Sequence, residues 1–199
     1  MTSYPRVVRL RGGEELLLRP ATGGDEPALV DFFAALPKED RQFLRDDVTD
    51  RSVIHRWMSS IDYSRVYPLL GLHGGKVVAD GTLHCNAFGW SKHVGELRVV
   101  VARDWQRKGV AQAVIHELVG LAHERGLEIL EALVLEGQHG AQRSMEALGF
   151  HVETVLRNRA TDLGGRRRNI LVMTNDVSEL WRRMEDMMAD SEFRQSSHH

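Results

Sequence analysis

The feature that most constrains this chain is the run from Glu96 to Ala111, ELRVVVARDWQRKGVA. A β-branched stretch ends in a short basic loop, and the loop opens directly into helical periodicity, with Val110, Val114, Leu118, Leu121 and Ala122 on one stripe. The strand, Glu96 to Ala102, carries valine at 99, 100 and 101, apolar on both faces, which predicts an interior place in a sheet. A helix that starts this abruptly leaves its first N–H groups unpartnered and the positive end of its dipole exposed. Gly109 lets the backbone come close to a bulky anion, Ala111 is nearly as small, and Arg107 and Lys108 add positive charge. A diphosphate is the natural guest of such a loop. The same pattern also makes a plain strand-to-helix turn with solvated basic residues, so the surroundings have to decide.

Around this run the chain alternates short extended and helical segments. Val7 to Leu10 and Glu15 to Arg19 read as strands about a turn at Gly12 and Gly13. Asp25 reads as an N-cap with Pro27 in the first turn of a helix whose apolar face is Leu29, Phe32, Phe33 and Leu36. A second helical region runs from Arg51 to Ile61. Tyr67 to Leu72 and Lys76 to Asn86 form a hairpin through His73, Gly74 and Gly75. Beyond the central run, Gly126 ends a helix, Ile129 to Leu135 is a strand, and Ala141 to Leu148 is a short helix ended by Gly149. Phe150 to Arg157 and Arg168 to Thr174 are strands joined through a turn at Asp162, and Asn175 or Asp176 caps a last helix bearing Leu180, Trp181, Met184, Met187 and Met188. No repeat or linker interrupts this order. The expectation is one α+β domain with a mixed sheet over residues 1–190, and a disordered tail over 191–199.

The bulk properties mainly exclude. At 199 residues the chain suffices for one domain with a sizeable core. A net charge of −2 gives no global reason to bind nucleic acid or an anionic membrane, and neither is expected as a partner. Arg166 to Arg168 form a basic cluster too short, and too poor in aromatics, for a nucleic-acid surface; it reads as a solvated hairpin tip or a contact for an acidic partner. The single cysteine, Cys85, excludes an internal disulfide and a cysteine metal cluster and fits a reducing, cytoplasmic setting. No segment approaches the apolar length of a membrane span, and the first residues hold no apolar run of signal-peptide length. Among ten histidines, His84, His93, His139 and His151 are scattered, and His116 and His123 share a helix without a third ligand, so no metal site is expected. His198 and His199 read as the stump of a purification tag. The methionine-bearing last helix fits core packing better than an oligomer interface, and a homodimer stays open.

Context now bears on the loop. The pattern Gln106-x-x-Gly109-x-Ala111 resembles the pyrophosphate signature of the GNAT acetyltransferases. Ala141 to Phe150, AQRSMEALGF, looks like that family's second signature, a short helix ending in Leu-Gly-Phe, and Leu17 to Leu29 resembles its usual first strand and helix. The resemblance covers residues from Arg6 to Asn175 and implies the GNAT fold: a splayed, mixed, mostly antiparallel sheet flanked by helices on both faces, with CoA in the V between two middle strands. It implies acetyl-CoA as co-substrate, held by Val99, Val101, Gln106, Arg107, Lys108, Gly109, Val110, Ala111, Gln138 and Met145. The segments Leu10 to Pro20 and Leu36 to Arg41 look like the bacterial protein-lysine acetyltransferases that silence acyl-CoA synthetases. That branch has a glutamate at the position of Glu96. It usually has asparagine where this chain has Gln138.

Acetyl transfer to an amine sets further requirements. The acceptor is protonated at neutral pH and attacks only after a base takes a proton. Glu96, directly or through a water, is the candidate base; the alternative is a strand-end carboxylate paired with Arg98. The resemblance makes the main-chain N–H of Val101 the oxyanion donor. Many GNAT enzymes place a tyrosine as general acid where this chain has Met145, which has no proton to give. A thiolate leaves without help, or His139, Cys85 or water supplies the proton. The expectation is an acetyl-CoA-dependent N-acetyltransferase acting on a primary amine, a protein lysine or a small molecule, in a ternary complex. A non-catalytic acyl-CoA sensor of the same fold is the alternative.

Overall fold

The computed structural model describes residues 4–162 and 164–196, with side chains to residue 186. Eight strands and six helices follow in the order β1 (Arg6–Arg9), β2 (Glu15–Pro20), α1 (Glu26–Ala35), α2 (Lys38–Arg41), α3 (Arg51–Ser59), β3 (Val66–His73), β4 (Lys76–Cys85), β5 (Val94–Val101), α4 (Val110–Glu124), β6 (Ile129–Leu135), α5 (His139–Leu148), β7 (His151–Thr161), β8 (Arg167–Asp176) and α6 (Val177–Ser196). The sheet runs β1-β2-β3-β4-β5-β6-β8-β7. Its pairs are antiparallel except β5 with β6, which is parallel. α2 has no apolar periodicity to announce it, being the tetrapeptide KEDR. α6 continues to Ser196, past Ser191, where a tail was expected to begin; residues 197–199 lie outside the described residues, as do Leu163 and the side chains of Met187 and Met188.

Two cores lie on opposite faces of this sheet. On one, Leu16, Leu18, Leu69, Ala79, Leu83 and Leu97 pack under α4 and α6. On the other, Leu70, Leu72 and Val77 pack under α1 and α3. Alternation along each strand directs its side chains to the two faces in turn. α4 sits so close to β4 that a Cβ on Gly81 would stand 2.3 Å from Val114 Cγ1, so only glycine permits the approach. His116 and His123 of α4 both lie against the Trp181 ring of α6, at 5.6 Å each, which gives the pair a packing role. Asp25 does stand at the N-cap of α1, but its carboxylate turns back to Arg19, at 2.6 and 2.8 Å, and to Thr22. The cap prediction was right in place and wrong in partner, because a bidentate arginine outcompetes a helix N–H.

Candidate active site

The parallel pairing of β5 with β6 is short. It joins Val94 to Ile129, Gly95 to Leu130 and Glu96 to Glu131, and then stops, although β5 continues to Val101 and β6 to Leu135. The strands part there and leave a V-shaped gap. Ala102 N–H donates to Val78 O at 2.9 Å, so Ala79 and Val101 form the non-hydrogen-bonded kind of antiparallel pair. The Val101 N–H therefore points away from β4, toward the gap. Val99, Val100 and Val101 are interior in strand order, as expected, but partly exposed, because they border this opening.

A cavity of about 1430 Å³ passes through the gap. A single small ligand typically occupies 300–1,000 Å³, so this volume suits two reactants side by side. On the α4 face it is lined by Val99, Val101, Gln106, Arg107, Gly109, Ala111, Gln138 and Met145. All of these were named from the sequence. α4 begins at Val110 with Gly109 as an N-cap that offers no side chain, so the first helical N–H groups face the cavity uncapped. Gly109 has φ +89° and open space where a Cβ would sit, so here glycine serves the backbone angle and leaves the mouth clear. Arg107 also has positive φ, at 60°, uncommon for a residue with a side chain. Left-handed residues set between right-handed ones can turn backbone N–H groups into a concave anion seat. These features fit a diphosphate.

Two other expected contacts, Val110 and Lys108, fall outside the lining. Val110 is buried in the core, so its backbone alone can reach the site. Lys108 turns outward to Glu14, at 3.2 Å, and over the Trp105 ring, at 4.7 Å. Gln138 Oε1 accepts from Leu135 N–H at 3.0 Å, capping the end of β6 at the gap. Met145 is buried and gives the cavity an apolar wall. His139 is exposed and Cys85 lies in a smaller pocket; neither lines the main cavity.

The other face of the same cavity is polar; Asp80, Thr82 and His84 there were not read as site residues, and Glu96, expected as the base, lines the smaller pocket beside it with Cys85 and Glu131. Asp80, Thr82 and His84 of β4 stand opposite Val100, Arg98 and Glu96 of β5, all on the α1–α3 face. Glu96 receives Arg98 Nε at 2.7 Å and Arg45 Nη2 at 2.8 Å, the second from the loop between α2 and α3. Burial pushes the Glu96 carboxyl up, but the two arginines outweigh it and hold it below the usual carboxylate range. The pairing with Arg98 anticipated as the alternative to catalysis is present. His84 is pushed down to about 4, first by burial and then by Arg98, so it is neutral at pH 7. Glu131, beside Glu96, is pushed up by burial and by the charge of Glu96. Burial alone lifts Asp80 to about 7. The available signal was polar residues at alternate positions, 80, 82 and 84, in an otherwise apolar strand. The basic cluster at Arg166 to Arg168 is partly folded back, Arg166 and Arg168 lying 3.3 and 3.6 Å from Asp162. Among the described residues no group of three His, Cys, Asp or Glu side chains could hold a metal ion, and no helix is long and apolar enough to cross a membrane.

Comparison with known proteins bears on this arrangement. Residues 30–150 match the model of the Acetyltransferase (GNAT) family. The structure resembles the GNAT domain of S. lividans PAT, at TM-score 0.71 and 22% identity over 86% of this chain and 96% of that one. It resembles the ribosomal-protein-alanine N-acetyltransferase of Brucella melitensis at TM-score 0.69 and 24% identity, over 80% and 99% of the two chains. It also resembles yncA of Salmonella typhimurium, solved with its cofactor acetyl-CoA, at TM-score 0.69 and 19% identity, over 81% and 94%.

Proposed function

The chain belongs to the GNAT acetyltransferase family, and from that premise we propose that it moves an acetyl group from acetyl-CoA directly to a primary amine in a ternary complex. The observation that carries this reading is the single cavity joining an uncapped helix N-terminus on one face of the sheet to a carboxylate-bearing strip on the other. Acetyl-CoA brings an activated thioester; the chain's residues bind, orient and move protons. The N–H groups at the start of α4, with Arg107, hold the diphosphate. The Val101 N–H, turned to the gap, donates to the carbonyl oxygen as negative charge develops there. Glu96 is the base proposed from the sequence; its two arginines keep it ionised but weaken it as a proton acceptor. Met145 supplies no proton, and the thiolate leaves unassisted or through water.

The acceptor is a protein amine or a small cationic amine. The branch resemblance supports a protein lysine, and the Brucella melitensis neighbour is a ribosomal-protein-alanine N-acetyltransferase. The lone Cys85 supports a cytoplasmic setting. For α6, burial of Leu180 and Met184 supports core packing, and a homodimer through other surfaces stays a proposal.

The test is steady-state release of CoA thiol, with mass analysis of the acceptor, using a blocked lysine peptide, an alanine-initiated peptide and spermidine. Thiol release matched by acetylated product on any of them supports the reading. Tight acetyl-CoA binding with no transfer to any amine would favour the sensor alternative.

A further inference from the structure

Asp80 is the group on the acceptor side that the family reading does not use. It sits in the middle of β4, between Leu70 of β3 and Val100 of β5, both packed into the α1–α3 core. Its carboxyl lines the cavity, where the residue is half-buried. No hydrogen bond or ion pair holds it among the described residues, unlike Glu96 four pairs further along the same strands, which two arginines clamp. Val100, its cross-strand partner, directly precedes Val101, whose N–H faces the gap. The Asp80 carboxyl and the Val101 backbone therefore line one cavity from neighbouring strands.

We infer that Asp80 receives the acceptor ammonium and takes its proton, serving as the catalytic base, while the Arg45–Glu96–Arg98 cluster forms a fixed floor beside it. This rests on the acetyl-transfer reading above. An unpaired carboxylate in an apolar slot prefers a cation as its partner, so the site selects an amine that arrives charged. Proton transfer leaves Asp80 neutral and the nitrogen lone pair free. The nitrogen bonds to the thioester carbon, and the carbonyl electrons move onto oxygen, against the Val101 N–H. The C–S bond then breaks; the remaining excess proton on nitrogen goes through water to the thiolate, and Asp80 returns its proton to solvent.

Several charged groups share the cavity with Asp80, Asp40, Asp62, Arg56 and Arg65 among them, and its own strands and the neighbouring loop bring more. β4 contributes His84 and β5 contributes Arg98 and Glu96; the loop above contributes Arg45 and Asp46. β3 and α1 present apolar side chains, Leu70, Leu29 and Phe33. Asp80 titrates near neutral pH, which suits a base working there.

The experiment compares wild type, Asp80→Asn, Asp80→Glu and Glu96→Gln. It reads kcat/KM by CoA-thiol release from about pH 5.5 to about pH 9.5 on the three amine probes, and acetyl-CoA affinity by calorimetry. Asp80→Asn is expected to fold, to bind acetyl-CoA within about threefold of wild type, and to lose about 10²- to 10³-fold in kcat/KM. The rise in rate through about pH 7 should vanish in it and persist in Glu96→Gln, and Asp80→Glu should regain part of the rate. Loss of that limb in Glu96→Gln with retention in Asp80→Asn would make Glu96 the base and overturn the inference alone. A wild type that binds acetyl-CoA but acetylates none of the probes would take the inference down together with the reading beneath it.

Discussion

The cradle at the head of α4 and the polar strip across β4 and β5 open into one cavity, yet the chain builds them in opposite ways. The cradle comes from one stretch, Gln106 to Ala111, and works through main-chain N–H groups and a positive φ at Gly109. The strip is assembled from β4, β5 and the loop bearing Arg45, and works through side-chain charges. A backbone site needs small residues at fixed spacing and tolerates change elsewhere. A side-chain site needs the sheet register and the loop to be correct together. The cradle should therefore resist most substitutions outside its glycine, whereas the strip should respond to single charges.

The largest expected effect on stability tests the burial of Asp80. Its carboxyl is lifted to about 7, so between pH 4 and 7 the folded state binds more protons than the unfolded chain, and stability falls as pH rises. Asp80→Asn removes that loss. Relative to wild type it should gain little below about pH 4 and up to about 4 kcal/mol at about pH 9, seen in denaturant melts. Equal stability at both pH values would show that the carboxyl is not desolvated. Next comes Gly81→Ala, whose Cβ forces α4 away from β4 and so disturbs both halves at once. Overpacking of this kind costs about 1–3 kcal/mol, or several degrees in melting temperature. A variant that melts with wild type would mean that α4 yields cheaply.

Smaller effects separate the halves. Arg45→Ala removes one of two partners of a partly exposed pair, so stability should change by under about 1 kcal/mol. Loss of that partner should raise the Glu96 carboxyl and change the acceptor KM, with acetyl-CoA affinity unchanged. A change confined to acetyl-CoA affinity would erase the distinction. Lys108→Ala should be the mildest, under about threefold on acetyl-CoA affinity, because Lys108 faces Glu14 and Trp105. A tenfold loss would return Lys108 to the cradle.

The same contrast explains what could be read from residues alone. The order of strands and helices followed from periodicity and from Gly and Pro punctuation, and the cradle's lining residues were visible because local sequence builds it. Which way the Lys108 and Val110 side chains turn was not legible, because position at a loop end does not state it. Asp80 and Arg45 were missed because nothing in their local sequence tells that register and a loop bring them to one cavity. The valine run 99–101 looked buried because a strand's composition does not say that its neighbour has splayed away.

Titration of acetyl-CoA into wild type and into Gly109→Asp by calorimetry tests the cofactor half most directly, and both halves depend on it. The aspartate would impose a side chain at φ +89° and a negative charge at the helix N-terminus. The account predicts one site on the wild type and an affinity at least about 100-fold weaker in the variant, with the fold intact. Equal binding by both proteins, or none by folded wild type, would contradict it.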